Sequence, residues 1–324
     1  MRVKRGVRAI IARYPTGMTA AGTRKISLHR PSHLVRNFFR SWQDPMQFRI
    51  RHSSETPMQT STIAGIIAIL FYSSSLVLQA RLLQARVHDA TSSRNVFVLG
   101  VLAVLAHALS AGGVIHNGAG YHFGIVEIST LIFAAISLLV LVSNLRKPLG
   151  ILLLGLFPLA ILAILASLLI RSSYPPRPLE PGLAGHVLLS ILAYSLFTIA
   201  ALQAGFLAFQ NHQLRHRHAA SVIRRFPPLQ DMEAFLFELL WVAQALLTLG
   251  IVAGFVFVED MWAQGLPHKT VFSLLAWAVF SVLLWGRHQL GWRGTTAIRF
   301  TLSGFGLLIL GFYGSKFVLE YILA

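Results

Sequence analysis

From Thr62 onward the chain alternates long apolar runs with short polar breaks. The runs cover roughly 62–83, 95–115, 124–143, 149–170, 183–209, 235–258, 270–286 and 298–323. Each approaches the ~20 apolar residues that carry an α-helix across a hydrocarbon core. Inside lipid a helix satisfies its own backbone N–H and C=O groups, which an open strand cannot do. A closed barrel needs segments of about ten residues alternating apolar and polar positions, and no such alternation is present. The pattern predicts an all-α polytopic membrane protein, a bundle of about eight transmembrane helices. No internal repeat stands out, so the duplicated plan of many transporters gains no support.

Composition agrees with this pattern. Of 324 residues, 55% are hydrophobic and only 12% are charged, against about a quarter charged in soluble domains. Charge then adds an orientation. One alternate set of helix ends carries Arg81, Arg86, Arg94, Arg146, Lys147, Arg215, Arg217, Arg224, Arg225, Arg287, Arg293 and Arg299, whereas the other carries only Arg171, Arg177 and Lys269. Lys and Arg accumulate on the cytoplasmic side of a membrane. The connections at 84–94, 144–148, 210–234 and 287–297 are therefore expected inside. Those at 116–123, 171–182 and 259–269 are expected outside, with both ends of the helical core.

The first 57 residues conflict with that orientation. They hold 12 of the 28 Lys and Arg residues but only Asp44 and Glu55 of the 11 acidic ones. They show no helical or strand period. Such a basic tail resists transfer to the outer side. Residues 1–57 are read as a basic, disordered extension and residues 58–324 as the eight-helix domain. Translation is expected to start at Met58, or at Met46. The other reading is an Arg-rich, Ser-containing organellar transit segment. The net charge of +17 is assigned to topology and lipid headgroups rather than to nucleic acid.

Chemistry is confined by what is missing. There is no cysteine, which removes thiolate metal sites, disulfides and covalent CxxCH haem attachment. No Walker motif, glycine-rich dinucleotide turn, HExxH or serine triad pattern occurs, and no catalysis is expected. Ionisable groups at membrane depth are costly and mark candidate sites. His186 opens the fifth run and His268 precedes the seventh, both on the expected outer side. Two such imidazoles make a candidate pair of haem or metal ligands, with Trp262, Phe255 and Phe257 near enough in sequence to cover a porphyrin. Each also has a plain structural reading, His186 at a helix interface and His268 as a loop residue. His116 and His122 flank the short segment HNGAGYHF, and Glu127 follows. His107 reads as a buried, hydrogen-bonded packing residue. His212, His216 and His218 belong to a basic cytoplasmic connection. Glu238 is expected near the start of the sixth helix, where a carboxylate suits the helix dipole. Prolines 175, 176, 178 and 181 stiffen the connection before His186.

The second half also carries a resemblance. The stretch HVLLSILAYSLFTIAALQAGFLAFQNHQLR, beginning at His186, resembles the helix of cytochrome c assembly proteins that opens with an outward histidine. The region from PPLQDMEAF to the end, including GWRG before the last helix, resembles the YpjD branch of that family, which also holds the CcsA, CcmC and HemX groups. The resemblance spans about 58–324 and is most specific over 183–323. It implies a haem-handling protein of the bacterial inner membrane, with His186 at the family's first outward haem-ligand position. The tryptophan-rich segment of haem-delivering members, WxWDPKET, would fall at Met261–Thr270. Here it reads MWAQGLPHKT, keeping Trp262 and placing His268 where the motif has no histidine. The family's second outward histidine is replaced within FVLEYILA.

The leading expectation is thus a haem-binding inner-membrane protein that assists cytochrome c biogenesis or regulates haem supply. Its expected ligands are His186 and His268, with Trp262 packing on the porphyrin, and its expected partners are lipid, haem and other cytochrome c maturation proteins. A divalent-metal accessory or efflux component, for cobalt for example, using His116, His122, His186 and His268, is the alternative; a membrane scaffold is a third.

Overall fold

The computed structural model describes residues 59–84, 90–116, 120–146, 150–170, 176, 178–215, 227–257 and 267–322. The segment before Met58 and the start expected there lie outside these residues. Eight described helices are long and apolar enough to cross a membrane. They are α1 (Gln59–Gln84), α2 (Ala90–Ile115), α3 (Ile125–Arg146), α4 (Gly150–Leu169), α5 (Pro181–Arg215), α6 (Leu229–Phe257), α7 (Pro267–Leu290) and α8, which starts as Thr295–Ile309. Every apolar run of the sequence is a helix, and most helices extend several residues beyond their runs.

The largest boundary differences are at the end of α5, expected at 209 and observed at Arg215, and at the start of α6, expected from 235 and observed from Leu229. Pro227 and Pro228 precede it, and the Pro228 carbonyl accepts hydrogen bonds from the N–H groups of Asp231 (3.0 Å) and Met232 (3.1 Å). The polar Gln230, Asp231 and Glu233 hid this first turn from a hydropathy reading. Asp231 therefore occupies the dipole-favoured first turn, and Glu238 stands exposed further along the helix.

Lipid supplies no hydrophobic drive between helices, so close packing and polar contacts hold the bundle. The most extensive helix pair is α5 with α6. The core runs through Phe157, Phe197, Leu236, Leu240 and Phe280, all fully buried or nearly so. Phe197 of α5 stacks on Phe280 of α7, ring centroids 4.0 Å apart. Gly304 of α8 permits this arrangement, because a Cβ there would lie 2.7 Å from the Phe280 ring. Large apolar side chains such as Leu70, Leu109 and Leu169 are exposed, as expected of surfaces that face acyl chains.

The last helix changes character at its end. After Ile309 it passes through π-helical turns at Leu310–Gly314 and Val318–Ile322. Each wide turn takes an extra residue and re-aims the side chains that follow.

Candidate functional site

His186 lies in the second turn of α5, just past the proline-rich connection. Its Nδ1 meets the Gly250 carbonyl of α6 at 2.8 Å. A carbonyl only accepts, so Nδ1 of the neutral ring carries the proton and Nε2 keeps its lone pair. One turn beyond Gly250 is Gly254, where a Cβ would come within 3.0 Å of the imidazole Cε1. Gly254 thus leaves the ring its place, whereas a Cβ at Gly250 would meet α5 only at ordinary contact distance. Orienting a ring through one nitrogen while freeing the other is how proteins present histidine to a metal.

His186 borders a cavity of about 380 Å³ among α3, α5, α6, α7 and α8. Its walls are mostly apolar and aromatic, including Ile132, Leu247, Ile251, Phe255 and Phe312. The ionisable side chains on the walls are His186, Lys269, Lys316 and Glu320, with the Tyr194 phenol beside them. A cavity of this size, largely apolar with a few polar groups, has the character of a small-molecule site.

The end of α8 supplies two of these charges. Lys316 donates to the Phe123 carbonyl and pairs with Glu320 at 3.3 Å, four residues on. The other Glu320 oxygen accepts the Ile125 N–H at 3.0 Å. Ile125 is the first residue of α3, so the carboxylate satisfies one of the unpaired donors at a helix start and meets the positive end of its dipole. Glu127, buried in the first turn of α3, joins the same charged cluster. Lys269, at the start of α7, stands differently. Its Nζ lies 5.1 Å from the centre of the Phe312 ring.

The sequence candidates separate in space. His186 is on the cavity wall. His268 is exposed at the start of α7 and is not part of that wall, whereas the next residue, Lys269, is. Trp262 lies outside the described residues, as do His216 and His218. Phe255 lines the cavity and Phe257 does not, though both are exposed. His116 forms an isolated bridge with Tyr121, their rings 4.9 Å apart. Among the described residues, no three His, Asp or Glu side chains gather as a metal site, so the four-histidine arrangement has no common centre there. His107 is fully buried between Tyr72 (3.2 Å) and Thr130 (2.9 Å).

Five residues of this end were missed as site residues. Lys316 and Glu320 are ionisable groups four apart inside an apolar span, a signal of function that the charge count alone passed over. Gly250 and Gly254 form a small-xxx-small pattern, the sequence mark of a close helix pair. Lys269 had no distinguishing signal beyond its place beside His268.

The fold and the site together define an all-α polytopic membrane bundle with a histidine on the wall of a mostly apolar cavity. Residues 95–323 match the family described as Cytochrome C assembly protein, and the chain belongs to that family. It is 27% identical to "Inner membrane protein YpjD" of Escherichia coli K12 over 263 residues, covering 80% of this chain and 99% of that protein. It is 24% identical to "Protein HemX" of Brevibacillus brevis over 131 residues, 40% of this chain and 48% of that protein. It is also 22% identical to "Cytochrome c biogenesis protein CcsA" of Prochlorococcus marinus over 170 residues, 46% of this chain and 54% of that protein. No solved structure matches. Family membership supports a role in cytochrome c biogenesis, and the eight apolar helices together with the inner-membrane relative support a multi-pass inner-membrane protein.

Proposed function

We propose that this protein binds haem at the outer face of the inner membrane through His186, and thereby assists cytochrome c biogenesis or regulates haem supply. The observation that carries the reading is the His186 ring, held at Nδ1 by the Gly250 carbonyl in a residue that lines a mostly apolar cavity. The residues fit the group on two counts. A neutral imidazole lone pair suits haem iron. Apolar and aromatic walls suit a macrocycle, and Gly254 leaves the ring space that a Cβ would fill. When bound, haem supplies an iron that takes the imidazole lone pair and a flat apolar ring with two acidic side chains.

The protein's own part is to orient and enclose. Gly250 fixes the tautomer and direction of His186, and the aromatic walls exclude water. His268 is a candidate second ligand from the same end of the bundle, reached only by a shift at the start of α7. Trp262, in the α6–α7 connection, packs on the macrocycle in the same reading. The excess of Lys and Arg at the opposite helix ends supports the outer side for this end. No turnover is involved.

The purified protein, reconstituted with haem, should show a Soret band that His186→Ala abolishes while the helical circular dichroism stays unchanged. A Soret band of equal strength in His186→Ala would sink the reading. Bound divalent metal without a Soret band would favour the metal accessory instead.

A further inference from the structure

We propose that Lys269 is the anion-recognising residue of this cavity and selects ligands that carry a carboxylate on an apolar body. The inference rests on the haem reading and adds to it which group reads the acidic side chain of the porphyrin.

Three observations converge on Lys269. It lines the cavity together with His186, so a ligand held at one is within the space bordered by the other. It is partly buried, yet among the described residues no carboxylate lies within 4.0 Å of its Nζ. Its described neighbour is the face of the Phe312 ring, a weaker partner than an anion. Lys316, the other cation of the cavity, already has its ion pair with Glu320.

Placement makes the imbalance sharper. Lys269 is the third residue of α7, where the unpaired N–H groups make the helix end positive. A cation at that position is unfavourable on its own, and half-burial adds a desolvation cost. An incoming carboxylate removes both penalties, because it meets the ammonium and the helix start together. Glu320 does not serve, since its oxygens meet Lys316 and the Ile125 N–H and it forms no ion pair with Lys269.

The anion could come from the ligand or from a lipid phosphate, and the experiment separates them. Haem and its dimethyl ester, which lacks both carboxylates, are titrated into the full chain in phosphatidylcholine nanodiscs. The wild type should bind haem about tenfold more tightly than the ester, the usual scale for a charged hydrogen bond. Lys269→Gln should erase that preference and keep the Soret band, because His186 is untouched. Lys269→Arg should retain it. Equal affinity of the wild type for acid and ester overturns the proposal, and that result does not depend on any variant folding. So does a preference that survives Lys269→Gln. Loss of the preference on adding phosphatidylglycerol assigns Lys269 to lipid phosphate and overturns it too. Failure of the haem reading looks different, since neither porphyrin would then give a Soret band that depends on His186.

Discussion

The helix α6 begins at one end of the bundle and finishes at the other, and the two ends treat their charges in opposite ways. Near its start, Glu233 is buried and fully used. It pairs with Arg287 of α7 at 3.0 Å, and its second oxygen accepts the Gly294 N–H at 3.2 Å. Arg287 also donates to the Trp292 carbonyl (3.2 Å) and lies over the Phe237 ring. The GWRG turn is shaped for this, with Gly291 and Gly294 at φ 66° and 56°, a region other residues enter at a cost. Trp292 fills the space beside Gly286. Near the other end of α6, the ring nitrogen of His186 and the Lys269 ammonium border a cavity instead. One end is a closed polar latch between α6, α7 and α8. The other has groups arranged around open space. Full local satisfaction suits a structural role, and unspent capacity suits the proposed binding role.

Breaking the latch should have the largest effect. Glu233→Ala strands Arg287 and is expected to lower stability by about 3 kcal/mol, read by denaturant unfolding in micelles, with the haem spectrum of the folded fraction unchanged. A lost Soret band at full stability would show that the two ends are not separate.

Crowding the open end should cost less stability and more binding. Gly254→Val pushes a branched side chain at the His186 ring, an overpacking strain of about 1–3 kcal/mol, equivalent to about tenfold or more in haem affinity. Spectral titration measures it, and unchanged affinity would mean that the ring does not need its present position. The smallest effect is expected at Arg293. Its nitrogen is 3.9 Å from Glu233 and its side chain is 72% exposed, so Arg293→Gln should change stability by less than about 0.5 kcal/mol. A larger loss would extend the latch to the solvent side of the turn.

The helices were legible because membrane-spanning helices must be apolar over nearly their whole length, and that requirement is written residue by residue. His186 was legible for a related reason, as an ionisable group at the mouth of an apolar run. Glu233 was passed over in favour of Glu238, because two carboxylates five residues apart on one helix look alike until the neighbouring helices are known. Lys269 was counted only as a topology charge beside His268. Which of two adjacent residues turns toward a cavity depends on the rotation of α7, and one helical step is about 100°.

The sequence by itself determined the number of membrane-spanning helices among the described residues and their order. These follow from local hydropathy, which needs no partner. Only the tertiary structure decided that Gly250 orients His186, that Lys269 rather than His268 borders the cavity, and that Glu320 is engaged while Lys269 has no carboxylate beside it among the described residues. Those outcomes depend on contacts between residues tens of positions apart or more, and packing alone brings such residues together.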